Sequence, residues 1–283
     1  MNFIFPFLAA VLQAGSFTLD KVVLSVRRVS FKTYTGVSFP LIFFITLIIF
    51  LIFQPPLSLS LFYGKLLWLI LISIALSITT NLIFYRALDD DRLSEIQTIA
   101  LLKNIPLIIL ASFIFTDERN FIVIFLALIA SLAVISSYWE KDHFKIAKNT
   151  LPFLLCVITL SPLGAIIAKE LLTVWNPISL ELVRSGAIAL ILGPLFFRHY
   201  ERVSAKAFSL LVLTNVLTSV AWILYYFSYQ ISGIIYTVLL FSLQPILVYF
   251  AAIVFLKESF QWKKFIAFFI ILIAIVITQI TSF

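Results

Sequence analysis

The chain has 283 residues, of which 63% are hydrophobic and 12% charged, with a mean hydropathy of +1.15. A soluble domain carries roughly 45–50% apolar and about 25% charged residues, so this composition excludes a water-soluble globule, and disorder with it. The net charge of +7, from Lys+Arg 20 against Asp+Glu 13, has to be read by where the basic residues fall between apolar segments, not as a nucleic-acid footprint.

A hydrocarbon core about 30 Å thick takes about 20 apolar residues per spanning helix. Apolar runs occur at 2–20, 37–54, 65–86, 94–116 and 120–138, and again at 150–169, 177–197, 206–229, 232–256 and 264–282. Ten helices of this length use roughly 200 residues and leave only short connectors, with no room for a soluble domain. The first run has no basic region before it and no small-residue cleavage pattern after it, so a retained first helix is expected rather than a cleaved signal. The longest polar break, from Trp139 to Lys148, divides the runs five and five. The expected fold is an all-α membrane protein of ten transmembrane helices arranged as two inverted five-helix repeats. Residues 1–139 form the first repeat, 140–149 a charged cytoplasmic linker, and 150–283 the second.

The connectors carry an asymmetry. Numbered in chain order, the odd connectors hold 15 of the 20 Lys and Arg residues, the even connectors and termini hold Lys65, Arg119 and Lys169, and two lie inside helices. By the positive-inside rule the odd connectors face the cytoplasm and both termini lie outside, in a bacterial inner membrane. Trp68, Trp139, Trp175 and Trp262 fall at the ends of runs, where interfacial anchoring is expected. The single cysteine, Cys156, excludes an intramolecular disulfide. His143 and His199 lie in charged connectors, so no zinc site is expected within the membrane, and no cofactor.

The two halves share features beyond their count. The stretches Leu88–Glu118 and Ser228–Glu258 each hold an apolar run with a proline near its middle (Pro106, Pro245) and close on an acidic residue. Gly15 precedes Lys21 in the first run as Gly164 precedes Lys169 in the sixth. An odd number of helices per copy forces the second copy into the membrane upside down, the architecture of many secondary transporters. This layout resembles the EamA branch of the drug/metabolite transporter superfamily. The resemblance implies a carrier or exporter of small organic metabolites, often amino acids, with a central cavity between the halves and the fifth and tenth helices at the periphery. With only seven glycines, close helix contacts are expected to use Ala and Ser.

Ionisable groups at membrane depth mark functional pathways by default. Lys103 lies about ten residues into its run, about 15 Å deep at 1.5 Å per residue, and must face either a wet cavity or an internal partner. In a cavity its ammonium would hold a carboxylate or phosphate. Glu181 and Arg184 lie three residues apart on one helical face. They read as an internal ion pair, or as Arg184 snorkelling outward, or else as a second anion anchor or, for Glu181, a protonation site. Asp20 is a further candidate for proton uptake or ion pairing. The eighth run carries a stripe of Asn215, Ser219, Trp222, Tyr226 and Tyr229 at steps of 4, 3, 4 and 3, all on one face. That face suits a cavity wall or a helix contact. Ser77, Asn81 and Tyr85 in the third run, and Gln13, Ser16 and Asp20 in the first, are spaced alike. Gln244 and Gln97 are lesser candidates. Pro106 and Pro245 read as hinges or as static kinks. Glu118 and Glu258 read as solvated or capping helix ends, and Asp89-Asp90-Asp91 as a solvated turn.

The expected function is alternating-access carriage of a small, carboxylate-bearing, amino-acid-like or aromatic metabolite by a monomer in the lipid bilayer. Lys103 would take the acid group, while Trp222, Tyr226 and Tyr85 would take the body. Export rests on the resemblance alone. A membrane enzyme or a flippase for lipid-linked substrates is the alternative. An enzyme would need catalytic groups clustered at one surface, and a channel would need charged or carbonyl-lined constrictions.

Overall fold

In hydrocarbon a backbone N–H or C=O finds no water, so a spanning segment must pair its own polar groups, and an uninterrupted helix does this. The computed structural model describes residues 2–26, 29–90, 96, 99–138, 151–197, 203–256 and 260–281. Within them the regular structure is entirely helical. The first half contains α1 (Ile4–Lys21, continued by a π turn Val22–Val26), α2 (Phe31–Phe53), α3 (Gly64–Asp90), α4 (Asn104–Ile114) and α5 (Phe121–Tyr138). The second contains α6 (Leu151–Leu172), α7 (Pro177–Phe197), α8 (Ala205–Ser232), α9 (Ile234–Phe241), α10 (Gln244–Leu256) and α11 (Trp262–Thr281). Eight helical segments are long and apolar enough to cross a membrane, α9 and the start of α10 counting as one. The other two apolar runs form shorter helices, Ile99–Ile114 and Phe121–Ser137. The expected linker at 140–149 lies outside the described residues, as do Trp139, Gln97, Asp91 and Glu258, and the side chains of Asp89 and Asp90.

Helices of one half pack mainly on those of the other. α1 lies against α8 and α3 against α6, while α2 crosses α7 and α5 crosses α11. Small groups set two of these crossings. Between α1 and α8, Ser16 shares hydrogen bonds with Thr214 (3.0 Å) and Thr218 (2.5 Å). The expectation that Ala and Ser replace glycine fails at the α2–α7 crossing. There an added methyl at Gly186 would meet the Phe43 ring at 3.1 Å, and one at Gly193 would meet Pro40 at 3.7 Å. The outward faces are apolar, with Phe53, Phe113, Leu190 and Ile280 exposed, as lipid contact requires.

Two buried polar nodes fasten this bundle. Asp20, at the end of α1, is 1% exposed and accepts hydrogen bonds from Tyr34 of α2 (2.5 Å) and Thr214 of α8 (2.6 Å). Glu118, after α4, is buried, so of its two readings, solvated end or cap, the solvated one fails. Its carboxylate accepts from the backbone N–H groups of Ile234 (2.5 Å) and Ile235 (3.1 Å), at the start of α9, and from Lys169 of α6. Lys169 also pairs with Asp117 at 2.7 Å and stands 4.9 Å from the centre of the Phe115 ring. Glu118 thus caps a helix of the other half, where its charge complements the free N–H groups and the helix dipole. Gly233 makes room for it, since a Cβ there would stand 2.7 Å from Glu118 Oε1 and its φ is +88°.

Trp175 departs from its expected role at the interface. It is fully buried, with its ring edge-on to Phe62 at 5.3 Å, whereas Trp68 and Trp262 are exposed.

Gly233→Ala should lower the unfolding temperature of the detergent-solubilised protein, because a side chain at this φ costs about 1–3 kcal/mol before any clash. Gly15→Ala, whose methyl would meet Leu217 at an ordinary 3.5 Å, should leave that temperature unchanged or slightly raised. Asp20→Ala should destabilise by about 1–3 kcal/mol by stranding the Tyr34 hydroxyl, and Asp20→Asn, which keeps an acceptor, by less. Equal melting curves for Asp20→Ala and the wild type would show that the node carries no such load.

Candidate functional site

Proline cannot donate an N–H, and its ring clashes with the carbonyl four residues earlier, so an apolar helix containing one tends to break just before it. Both halves do this at matching places. Ahead of Pro106 the helix opens into a turn at Leu102–Lys103, and ahead of Pro245 it opens at Ser242–Leu243. A new helix begins at Asn104 and at Gln244 respectively. The sequence marks these prolines as kinks within continuous helices. The structure makes them starting points, with Pro106 third in α4 and Pro245 second in α10.

The two breaks flank a cavity of about 270 Å³ enclosed by both halves. α1 supplies Gln13 and Phe17, α3 supplies Ser77, Asn81 and Tyr85, and the first break supplies Lys103 and Asn104. From the second half come Cys156, Ser161 and Gly164 of α6, Glu181 and Arg184 of α7, and Trp222, Tyr225, Tyr226 and Tyr229 of α8. The second break adds Phe241, Gln244 and Pro245. The faces that helical spacing picks out in the third and eighth runs therefore meet at one place, together with Gln13.

The walls are aromatic and donor-rich. Trp222 packs on Tyr225 (5.3 Å) and Tyr226 (5.8 Å), and Tyr225 packs edge-on to Phe241 at 4.5 Å. The hydroxyls of Tyr225 and Tyr229 share a hydrogen bond of 2.5 Å. On the opposite wall the Tyr85 ring lies 4.9 Å from that of Tyr34. Asn81 donates its amide to the Ser77 carbonyl at 2.8 Å. Lys103 lines the cavity with no ion pair to any acidic side chain among the described residues. Arg184 donates from Nη2 to the Ser77 hydroxyl, and its guanidinium carbon stands 5.3 Å from the centre of the Tyr226 ring. Glu181 approaches Arg184 only to 4.0 Å. Arg184 Nε and Nη1 and the side-chain amide nitrogen of Gln244 have no hydrogen-bond partner among the described residues. The Glu181–Arg184 pair is a long ion pair, with both residues on the cavity wall.

Four sequence candidates fall elsewhere. Asn215 is 1% exposed and donates to Ser38 of α2 (3.2 Å) and to the Leu211 carbonyl (2.7 Å). Ser219 is fully buried and donates to the Asn215 carbonyl. The stripe on α8 is one face geometrically, but its first half is covered by α1 and α2, and only its later part reaches the cavity. Asp20 sits in the α1–α2–α8 node, off the cavity wall. Pro106 likewise does not line the cavity. Conversely, Tyr225, Asn104 and Phe241 line it without having been singled out from sequence. Tyr225 stands at steps of three and four from Trp222 and Tyr229, so the same helical spacing would have found it. Among the described residues no three His, Cys, Asp or Glu side chains converge as metal ligands would.

Comparison with known proteins adds to this geometry. No curated protein matches the chain in sequence. A solved crystal structure matches it with a TM-score of 0.78 over 98% of this chain and 96% of the other, at 12% identity. At that identity the likeness is one of fold alone. Residues 149–280, nearly the whole second half, match the model of the EamA-like transporter family. With a bundle of apolar helices around a central cavity, the chain is a multi-pass integral membrane protein whose second half is similar to the EamA-like transporter family, a domain of the drug/metabolite transporter superfamily.

Proposed function

We propose that the chain is a secondary carrier of small organic anions, bearing a carboxylate and an aromatic or apolar body, with the central cavity as its binding site. The observation that carries this reading is the pair of cations on the cavity wall. A Lys at the centre of a membrane helix costs about 2.5–3.5 kcal/mol on insertion scales. An Arg with unpaired buried donors is also costly, at about 1–3 kcal/mol per unsatisfied group. Such costs are offset when an acceptor-rich ligand supplies the missing partners. Lys103 and Arg184 would hold the acid group, with Gln244 and Gln13 on its other polar atoms. Trp222, Tyr226, Tyr229 and Tyr85 would enclose the body. Amino acids fit the same site if Glu181 takes the ammonium.

The packing supports an inverted repeat. Exchanging each helix of the first half with its counterpart in the second turns the α1–α8 contact into α3–α6, and leaves α2–α7 and α5–α11 in place. The matching breaks at Lys103 and Leu243 obey the same exchange. On this reading the two halves rock about the cavity, bending where Pro106 and Pro245 interrupt their helices. The excess of Lys and Arg in the odd connectors argues for both termini outside. Export is suggested only by the family likeness, with a bacterial inner membrane as the expected location.

Proteoliposomes loaded with unlabelled indole-3-acetate, benzoate or phenylalanine should take up the labelled compound saturably, and faster than empty ones. Lys103→Ala should lower anion uptake at least tenfold with expression and melting temperature unchanged, and undiminished uptake would remove Lys103 from the site. Trp222→Ala should weaken aromatic substrates by about two- to tenfold relative to aliphatic carboxylates, since an aromatic pair is worth about 0.5–1.5 kcal/mol beyond area. Equal weakening of both classes would show that Trp222 shapes the wall without contacting the substrate.

A further inference from the structure

The charges on the cavity wall do not balance. Lys103 and Arg184 stand against Glu181, the one carboxylate lining the cavity among the described residues. The remaining titratable groups lining it are the thiol of Cys156 on α6 and four phenols: Tyr85 on α3 and Tyr225, Tyr226 and Tyr229 on α8. α2 contributes only Phe39 and Ile42. The wall is therefore singly positive with Glu181 ionised and doubly positive with Glu181 protonated.

Glu181 and Arg184 are also incompletely joined. They are successive neighbours on one face of α7, and a tight pair would close to about 2.7–2.9 Å. They stop at 4.0 Å. The guanidinium is instead held from outside α7, by the Ser77 hydroxyl on α3 and the Tyr226 ring on α8. Two of its donors, Nε and Nη1, have no hydrogen-bond partner among the described residues. Arg184 is thus fixed in place by neutral groups, while its carboxylate neighbour attracts it without satisfying it.

We propose that Glu181 and Arg184 form a proton-gated anion subsite, in which a proton on Glu181 makes Arg184 available to an oxyanion. With Glu181 ionised, its field offsets that of Arg184 and repels an arriving anion. A proton taken from solution onto a Glu181 carboxyl oxygen removes that repulsion, and no bond other than this O–H forms or breaks. Anion and proton then favour each other's binding by the same factor, as linkage requires. Ser77 acts as a positioning residue that keeps the guanidinium in place in both charge states. The inference rests on the carrier reading for one consequence, that each anion travels with a proton.

Iodide tests the subsite without a known substrate. It is a monovalent anion and a collisional quencher, and Trp222 lines the cavity with 37% of its surface exposed. The difference in quenching between the detergent-solubilised wild type and Trp222→Phe isolates the cavity signal. That signal should strengthen at least fivefold as pH falls from 8 to 5, the lower end of ordinary coupling factors. In Glu181→Gln it should be strong and independent of pH, in Arg184→Gln weaker than in the wild type at pH 5, and in Glu181→Asp pH-dependent again. A wild-type signal that ignores pH, or a pH response that survives in Glu181→Gln, overturns the proposal. Indole-3-acetate exchange in proteoliposomes separates the two claims. Absent exchange with the iodide pattern intact would remove the carrier reading and leave the gated subsite standing.

Discussion

A charge at membrane depth must be solvated by something, and where this protein puts its charges governs the rest of its organisation. Hydrocarbon cannot do it, so each buried ionic group is answered by protein or by the central cavity. Asp20 is answered by two hydroxyls, and Glu118 by two backbone N–H groups and a lysine. Both are fasteners, each accepting hydrogen bonds from two other elements. Lys103, Glu181 and Arg184 are answered less completely, and all three lie on the cavity wall. The contrast between satisfied and under-satisfied groups separates the parts that hold the bundle together from the parts free to meet a ligand.

The same constraint shapes the backbone. A helix can be interrupted inside a membrane only where the freed polar groups face protein or a water-accessible space. The two interruptions, before Pro106 and before Pro245, border the cavity, and each begins its new helix with an amide side chain, Asn104 or Gln244. Helical continuity is kept wherever a segment faces lipid and given up where the cavity makes that affordable.

Much of this was legible from residue order, and the remainder has identifiable causes. The apolar runs located every α-helix among the described residues, because period and length suffice for that in a membrane protein. Eight of the ten met the length of a full span, whereas the fourth and fifth runs gave shorter helices. The matching prolines located the interruptions but not their severity, because the same residue kinks or breaks a helix depending on what its neighbours can pair. Lys103, Asn81, Tyr85 and Trp222 line the cavity, where cost and spacing leave a cavity wall and an internal contact both open. Asn215 and Ser219 did not, because periodicity assigns a face of α8 but cannot say where along its length α1 and α2 cover it. Trp175 shows a related blind spot: proximity to a run's end cannot tell a headgroup anchor from an indole folded under a loop, against Phe62. Glu118 was hidden for a different reason, since its partners are backbone N–H groups 116 and 117 residues further along the chain.

That carboxylate has a mechanical implication. Glu118 ties the tail of one segment to the head of another and to the foot of a third, so three chain ends share a single knot on one side of the bundle. Gly233 lets the knot be drawn tight, because there is no methyl to hold the strands apart. Parting the first two of these ends would cost the carboxylate both backbone donors in one step, so this side of the bundle should resist a small opening more than a complete release.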